Sequence, residues 1–226
     1  MKYKTLPTSM FAALLTVSAT HAAIVNVTAF EDITLDQGSP NQNSRDHLLV
    51  GSNSGSGPYH ALAAFDLSST ITLAVGETLQ INSVTIDFSE QSVGQGGPFD
   101  LNVAQYDFNF DPATATYTAP AVGDTTAGGT LGTSFGSTAI NGSGALDTVT
   151  LISGAALETA VGTALTAGSE FRIILTGLDD TSINFARLKR SDIQLNIDYD
   201  VVAVPEPSSA ALLGLGGLAL ILRRRK

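Results

Sequence analysis

The sequence predicts an all-β protein, a jelly-roll-like β-sandwich with one short helix, flanked by an N-terminal signal peptide and a short C-terminal transmembrane helix. Three observations carry this expectation. Val84, Ile86 and Phe88 alternate with Thr85 and Asp87, and Ile193, Leu195, Ile197 and Tyr199 alternate with Gln194, Asn196 and Asp198, the two-residue period of strands that bury one face. Clusters of Gly, Asn, Asp and Ser separate many such runs, a spacing typical of sandwiches. Both ends of the chain carry apolar stretches flanked by basic residues that no sandwich core requires.

Taken in order, Lys2 and Lys4 precede an apolar stretch at 10–17, and small residues follow at Thr20, Ala22 and Ala23. This is the layout of a secretory signal peptide over 1–22, cut by signal peptidase after Ala22. Strands are expected at 24–30, 47–50, 61–67, 84–88, 101–108, 146–152, 171–176, 183–188 and 193–199, within one domain over 23–203. Leu157, Val161 and Leu165 recur every four residues, so the spacing predicts a helix over 155–165 crossing one end of the sandwich. Three stretches read as loops: 37–45, 51–59 and the Gly- and Thr-rich 119–145.

Composition excludes several functions. The chain has no cysteine, which removes disulfides, thiolate metal sites and thiol catalysis. Residues 23–204 hold five Lys or Arg against 20 Asp or Glu, a net charge of −15. So acidic a domain repels phosphate backbones, and nucleic acid is not an expected partner.

Near the C-terminus, Pro205, Glu206 and Pro207 are followed by thirteen residues, 210–222, that are all Ala, Leu, Ile or Gly, and then by Arg223, Arg224, Arg225 and Lys226. With Ser208 and Ser209 the segment reaches about 22 Å as a helix, short of a hydrocarbon core of about 30 Å. Local thinning of the bilayer tolerates such a span, and the four cations stay on the cytoplasmic side. The two prolines keep the tripeptide extended and block helix continuation, leaving it open to a protease. This order of tripeptide, short apolar helix and basic cluster over 204–226 resembles the PEP-CTERM sorting signal of Gram-negative bacteria. The resemblance implies an exosortase that recognises Pro205, Glu206 and Pro207 and removes the tail. It also implies transient residence in the inner membrane and release to the cell envelope or an extracellular polysaccharide matrix.

A second likeness lies in the middle of the chain. Leu48, Leu49, Val50 and Gly51, then Phe65, Asp66, Leu67 and Ser68, then Ile81, Asn82, Ser83 and Val84 are similar to the opening of the DNRLRE family of exported bacterial domains. Tyr117 stands where that family often has Trp. The likeness implies a jelly-roll sandwich of a kind suspected of binding glycans.

Catalytic constellations are not found in the sequence, and no enzyme is expected. His47 and His60 are the histidines outside the signal peptide, and their spacing matches no helical metal pair. Gly132, Ser134 and Gly136 match the letters of a nucleophile elbow, but no histidine follows Ser134 in the chain, as the hydrolase order requires. Acidic pairs such as Asp107 with Asp111, or Asp179 with Asp180, read as solvated loop residues. The expectation is therefore a non-enzymatic structural or adhesive protein, with a carbohydrate-binding module as the alternative. Tyr59, Tyr106 and Tyr117 are the candidate sugar contacts, since a sandwich face can present Tyr rings to a glycan. No cofactor is expected apart from calcium. Residues 31–46 read as an oxygen-rich loop next to the first strand, and its Glu31 or Asp32 could meet Asp198 or Asp200 in the last, giving the hard oxygens that suit that ion.

Overall fold

The structure is a computed structural model that describes residues 21–39, 45–53, 55, 57–92, 99–140, 149–178 and 184–204. Within them are eleven strands: β1 (His21–Thr28), β2 (Glu31–Asp36), β3 (His47–Asn53), β4 (Gly57–Asp66), β5 (Glu77–Ser92), β6 (Phe99–Gln105), β7 (Ser134–Ile140), β8 (Val149–Ser153), β9 (Glu170–Gly177), β10 (Phe185–Lys189) and β11 (Gln194–Ala203). One α-helix, α1 (Ala155–Ala167), lies between β8 and β9. Of the expected signal peptide only His21 and Ala22 fall within the described residues, and both belong to β1. The sorting tripeptide, the apolar tail and Arg223, Arg224, Arg225 and Lys226 lie outside them.

Every strand pair is antiparallel, and the strands run in the order β1-β11-β5-β10-β3-β4-β9-β6-β7, with β2 added to β4 and β8 to β5. Strand β5 joins two layers. Its first part pairs with β11 from Glu77 to Asp87, while its last part pairs with β10 at Glu90 and Ser92. The register slips between Arg187 and Leu188 at that junction, as expected where a strand bends from one layer into the other.

The core is filled from both layers, and the alternation read in the sequence decides which side chains enter it. Val84, Ile86 and Phe88 of β5 and Leu195 and Ile197 of β11 meet Ala61, Ala63 and Phe65 of β4, Leu101 and Val103 of β6, and Ile173 and Leu175 of β9. Each large side chain buried there contributes roughly 1.5–3 kcal/mol over leaving it exposed. Helix α1 adds Leu157, Val161 and Ala164. The helix stops at Gly168, whose left-handed conformation (φ 58°) lets its N–H and that of Ser169 reach back to Leu165 O and Ala164 O at 3.2 and 3.0 Å.

Three expectations are corrected. The stretch that opens with Glu31 and Asp32 is not all loop, because Glu31–Asp36 is strand β2, with Ile33 and Leu35 fully buried. The expected loop over 51–59 is the β3–β4 hairpin, with Gly51 paired to Tyr59 and Asn53 to Gly57. Within 119–145, residues Ser134–Ile140 form β7 on β6.

A second apolar cluster covers the outer face of the β4 layer. Ile33, Leu35, Leu62, Ala64, Ala104 and Ile174 point outward and are capped by Tyr106, Phe110 and Ala115, with Phe108 and Tyr117 packed at the margin. The connection between β6 and β7 supplies all five capping side chains. Strand β4 is therefore buried on both faces from Tyr59 to Phe65, which accounts for its unbroken apolar run.

Candidate functional site

The three tyrosines proposed as sugar contacts do not form a platform. Tyr59 is buried, with its ring edge against Phe185 at 5.7 Å and its hydroxyl accepting from Asn53 Nδ2 at 3.3 Å. Tyr106 is buried beneath the β6–β7 connection, where its ring packs on Phe108 and Phe110. Tyr117 is half-buried against the His60 ring at 5.7 Å. In each case the apolar body of the ring fills a packing gap, which corrects the expectation of a stacking face for Tyr59 and Tyr106.

The calcium expectation assumed that Glu31 or Asp32 meets Asp198 or Asp200. Strand β1 does pair with β11, as assumed. The chain then crosses to the other layer: Ala29 N–H donates to Ile193 O at 3.0 Å and Phe30 N–H to Ala64 O at 2.9 Å. Glu31 and Asp32 thus leave from the Gln194 end of β11, while Asp198 and Asp200 lie four and six residues along it, roughly 13 and 20 Å at strand spacing. Asp32 is instead paired with Arg190, whose guanidinium also donates to the Asp32 carbonyl at 2.6 Å. Asp198 accepts from Asn82 Nδ2 at 3.3 Å. Burial, with repulsion from Glu170 and Asp111, raises the Glu31 carboxyl above its ordinary value, and Arg172 partly offsets this. Its charged neighbours are those of β9 and the β6–β7 connection. Among the described residues no group of three His, Asp or Glu is placed to hold a metal ion.

The two histidines have local roles. His47 Nδ1 lies 2.7 Å from Asp46 Oδ1, and His60 Nδ1 lies 2.7 Å from the carbonyl of Gly128. Ser134 opens β7 and donates to Asn102 Oδ1 at 3.1 Å. It follows a loop and enters a strand, so the strand-turn-helix context of a nucleophile elbow is absent at this position. Asp111 caps a turn through Ala113 N–H at 2.8 Å. Asp179 and Asp180 lie outside the described residues.

Sequence reasoning overlooked a carboxylate that organises the β6–β7 connection. Asp124 is buried and accepts four hydrogen bonds, from Tyr106 Oη at 2.9 Å, Thr126 N–H at 2.9 Å, Thr130 N–H at 2.8 Å and Thr130 Oγ1 at 2.8 Å. Burial pushes its pKa up, but the hydrogen bonds outweigh burial and hold it below the ordinary aspartate value. Burial and the same carboxylate push the Tyr106 hydroxyl well above its ordinary value. Gly128 and Gly129 then press the loop onto the sheet at positive φ, where added Cβ atoms would come within 2.9 Å of His60 and Ile174.

One groove combines space with polar groups. It has a volume of about 530 Å³ between α1 and the ends of β6 and β9, lined by Gln105, Asp107, Thr133, Glu170 and Arg172 among others. Gln105 Nε2 donates to Asp107 Oδ1 at 2.9 Å, and Arg172 is paired with Glu170. Hydrogen-bond donors and acceptors are thus fixed along its wall.

The last positioned feature is the exit of the chain. Strand β11 is held on both sides, by β1 from His21 to Thr28 and by β5 along its whole length. Val204 N–H donates to Gly76 O at 2.7 Å, and the next residue is Pro205. Among the described residues β1 reaches only to Val201, so Val202 and Ala203 are held by β5 alone, and the tripeptide begins two residues beyond the end of β11. Among the described residues no helix is long and apolar enough to cross a membrane.

These features define a mostly antiparallel β protein whose final strand runs directly into an appended tail. The family model for the PEP-CTERM protein-sorting motif matches residues 203–226. The chain carries that motif and is an exosortase-sorted protein, exported through the bacterial cell envelope with exosortase as its processing partner. No curated protein matches the chain.

Proposed function

We propose that the protein is a non-enzymatic structural or adhesive component of the envelope or extracellular polysaccharide matrix of a Gram-negative bacterium, set free there once its tail is removed. The sorting motif at 203–226 carries this reading. It is supported by the way the polar groups are used: His47, His60, Ser134 and Asp124 each hold backbone or side chains in place within the fold. The acidic surface favours a hydrated, repulsive colloid that stays soluble among polysaccharides. The test is fractionation of wild-type cultures. The reading expects the mature protein to sediment with the exopolysaccharide and a deletion strain to shed a looser matrix. Recovery of the protein entirely free in the medium, with matrix unchanged in the deletion strain, would contradict it.

A carbohydrate-binding module is the second reading, and the groove at Gln105, Asp107 and Arg172 favours it over any tyrosine face. Planar guanidinium and amide groups along a groove suit sugar hydroxyls and uronate carboxylates. On that reading Arg172→Ala abolishes saturable binding to the isolated exopolysaccharide while Tyr117→Ala leaves it unchanged.

A further inference from the structure

Three exposed apolar side chains gather where the chain leaves the sandwich. Val204 is 46% exposed and its N–H is bonded to Gly76 O. Val75, next to Gly76, is 108% exposed, and Leu73 is 40% exposed. Ile71 and Leu73 also line a shallow hollow with Leu79 of β5 and Leu165 of α1. The start of β1 reaches the same end, since His21 pairs with Val201. Both terminal apolar segments of the precursor therefore leave from this pole.

The length of the remaining chain identifies what lies against it. Five residues, 205–209, separate Val204 from the apolar run at 210–222. Fully extended, the six steps from Val204 to Ala210 span at most about 22 Å. A tail seated in the bilayer thus holds this pole at the headgroups. Residues 67–76 contain no charged side chain, and the two carboxylates that flank them accept from backbone within the segment, Asp66 from Ser68 N–H at 2.9 Å and Glu77 from Ala74 N–H at 2.7 Å.

We propose that Leu73, Val75 and Val204, with Ile71, form a bilayer-contacting surface that dips into the boundary between headgroups and acyl chains while the tail is attached. It presents Pro205–Glu206–Pro207 at a fixed depth to the membrane-embedded exosortase. The contact is apolar rather than electrostatic, so it forms on zwitterionic lipid and gains nothing from anionic lipid, which the acidic domain repels. It rests on the reading that the C-terminal tail enters the membrane.

The test uses the full chain, which has no cysteine of its own. Val75→Cys carries an environment-sensitive fluorophore, and Leu178→Cys is the control. Leu178 is 57% exposed and follows the end of β9 remote from Glu170, which pairs with Asp66 just before the 67–76 connection. Both are reconstituted in phosphatidylcholine vesicles containing a spin-labelled lipid. For side chains seated ~5–10 Å deep, quenching at 75 exceeds that at 178 by about threefold or more, and Leu73→Asp brings it down to the control level. Equal quenching at 75 and 178 in a chain that floats with the vesicles overturns the contact and leaves tail insertion intact. A chain that does not float removes the lipid partner and overturns both.

Discussion

The two faces of strand β4 are built on different principles. Ala61, Ala63 and Phe65 enter a core closed by a second layer of strands, whereas Leu62 and Ala64 enter a cluster closed by the connection between β6 and β7. On the first face, alternation along paired strands places most of the side chains, and helix α1 adds Leu157, Val161 and Ala164. On the second, ring packing places Tyr106 and Phe110, and a buried carboxylate, Asp124, ties the covering loop to itself. A sheet face can thus be sealed by a segment with no regular structure, provided the backbone groups of that segment find internal partners.

The largest expected effect is on the strand-built face. Ile197→Asp puts an unpaired charge in the main core, a change at the exceptional end of mutational costs, about 4–5 kcal/mol or more. Urea denaturation should find the variant unfolded or nearly so, and a shift under about 1 kcal/mol would break the assignment of that face. On the loop-built face, Ile174→Ala removes buried methyl groups, with an expected loss of about 2–4 kcal/mol. Equal losses of protection across the whole chain in hydrogen exchange would argue against the two faces being separable.

Asp124→Asn sharpens the contrast, with an expected cost of about 1–3 kcal/mol from weakened hydrogen bonds to a charged acceptor. Its pH dependence has a definite sign. Because the folded protein holds Asp124 below its ordinary value, the clasp contributes fully above the unfolded value of about 4 and is lost as pH falls through the folded value. Glu90, whose Oε2 is buried without a partner, behaves oppositely, since burial raises its pKa. Lowering the pH from neutral relieves that buried charge and adds stability until unfolded glutamates also protonate. Melting temperatures against pH should accordingly lose their steep acid limb in Asp124→Asn and the gain on mild acidification in Glu90→Gln. The smallest effect belongs to the outward face of β11: Asn196→Asp forfeits one bond to Thr85 Oγ1 at 3.2 Å, at a cost of about 1 kcal/mol or less.

The sequence was most informative where a single period governed a segment. The alternation of Val84, Ile86 and Phe88 and the four-residue recurrence of Leu157 and Val161 led directly to β5 and α1. Ile33 and Leu35 carried the same signal, but their acidic neighbours Glu31, Asp32 and Asp36 drew the segment toward a metal-loop reading. In β7 the signal is broken. Gly136 (φ 131°) sits at a register shift, so the buried Phe135 and Ile140 are five residues apart and show no two-residue period. The tyrosines were misread for a related reason: a loop that covers a sheet buries aromatic rings without any periodic pattern to announce it. Asp124 gave no sequence signal, because its partners depend on the fold of the connection.

The sorting tail was legible because it is a linear signal, read from order alone and independent of folding. Its junction with β11 is what the fold adds, and it bears directly on the central claim that a folded sandwich is exported and trimmed at both ends. Intact-mass measurement of the surface-released protein tests this most directly. The expected product begins near Ala23, so that β1 keeps its pairs with β11 from Ala23 to Thr28, and ends near Pro205, Glu206 and Pro207. Released protein that still carries Arg223, Arg224, Arg225 and Lys226 would contradict it.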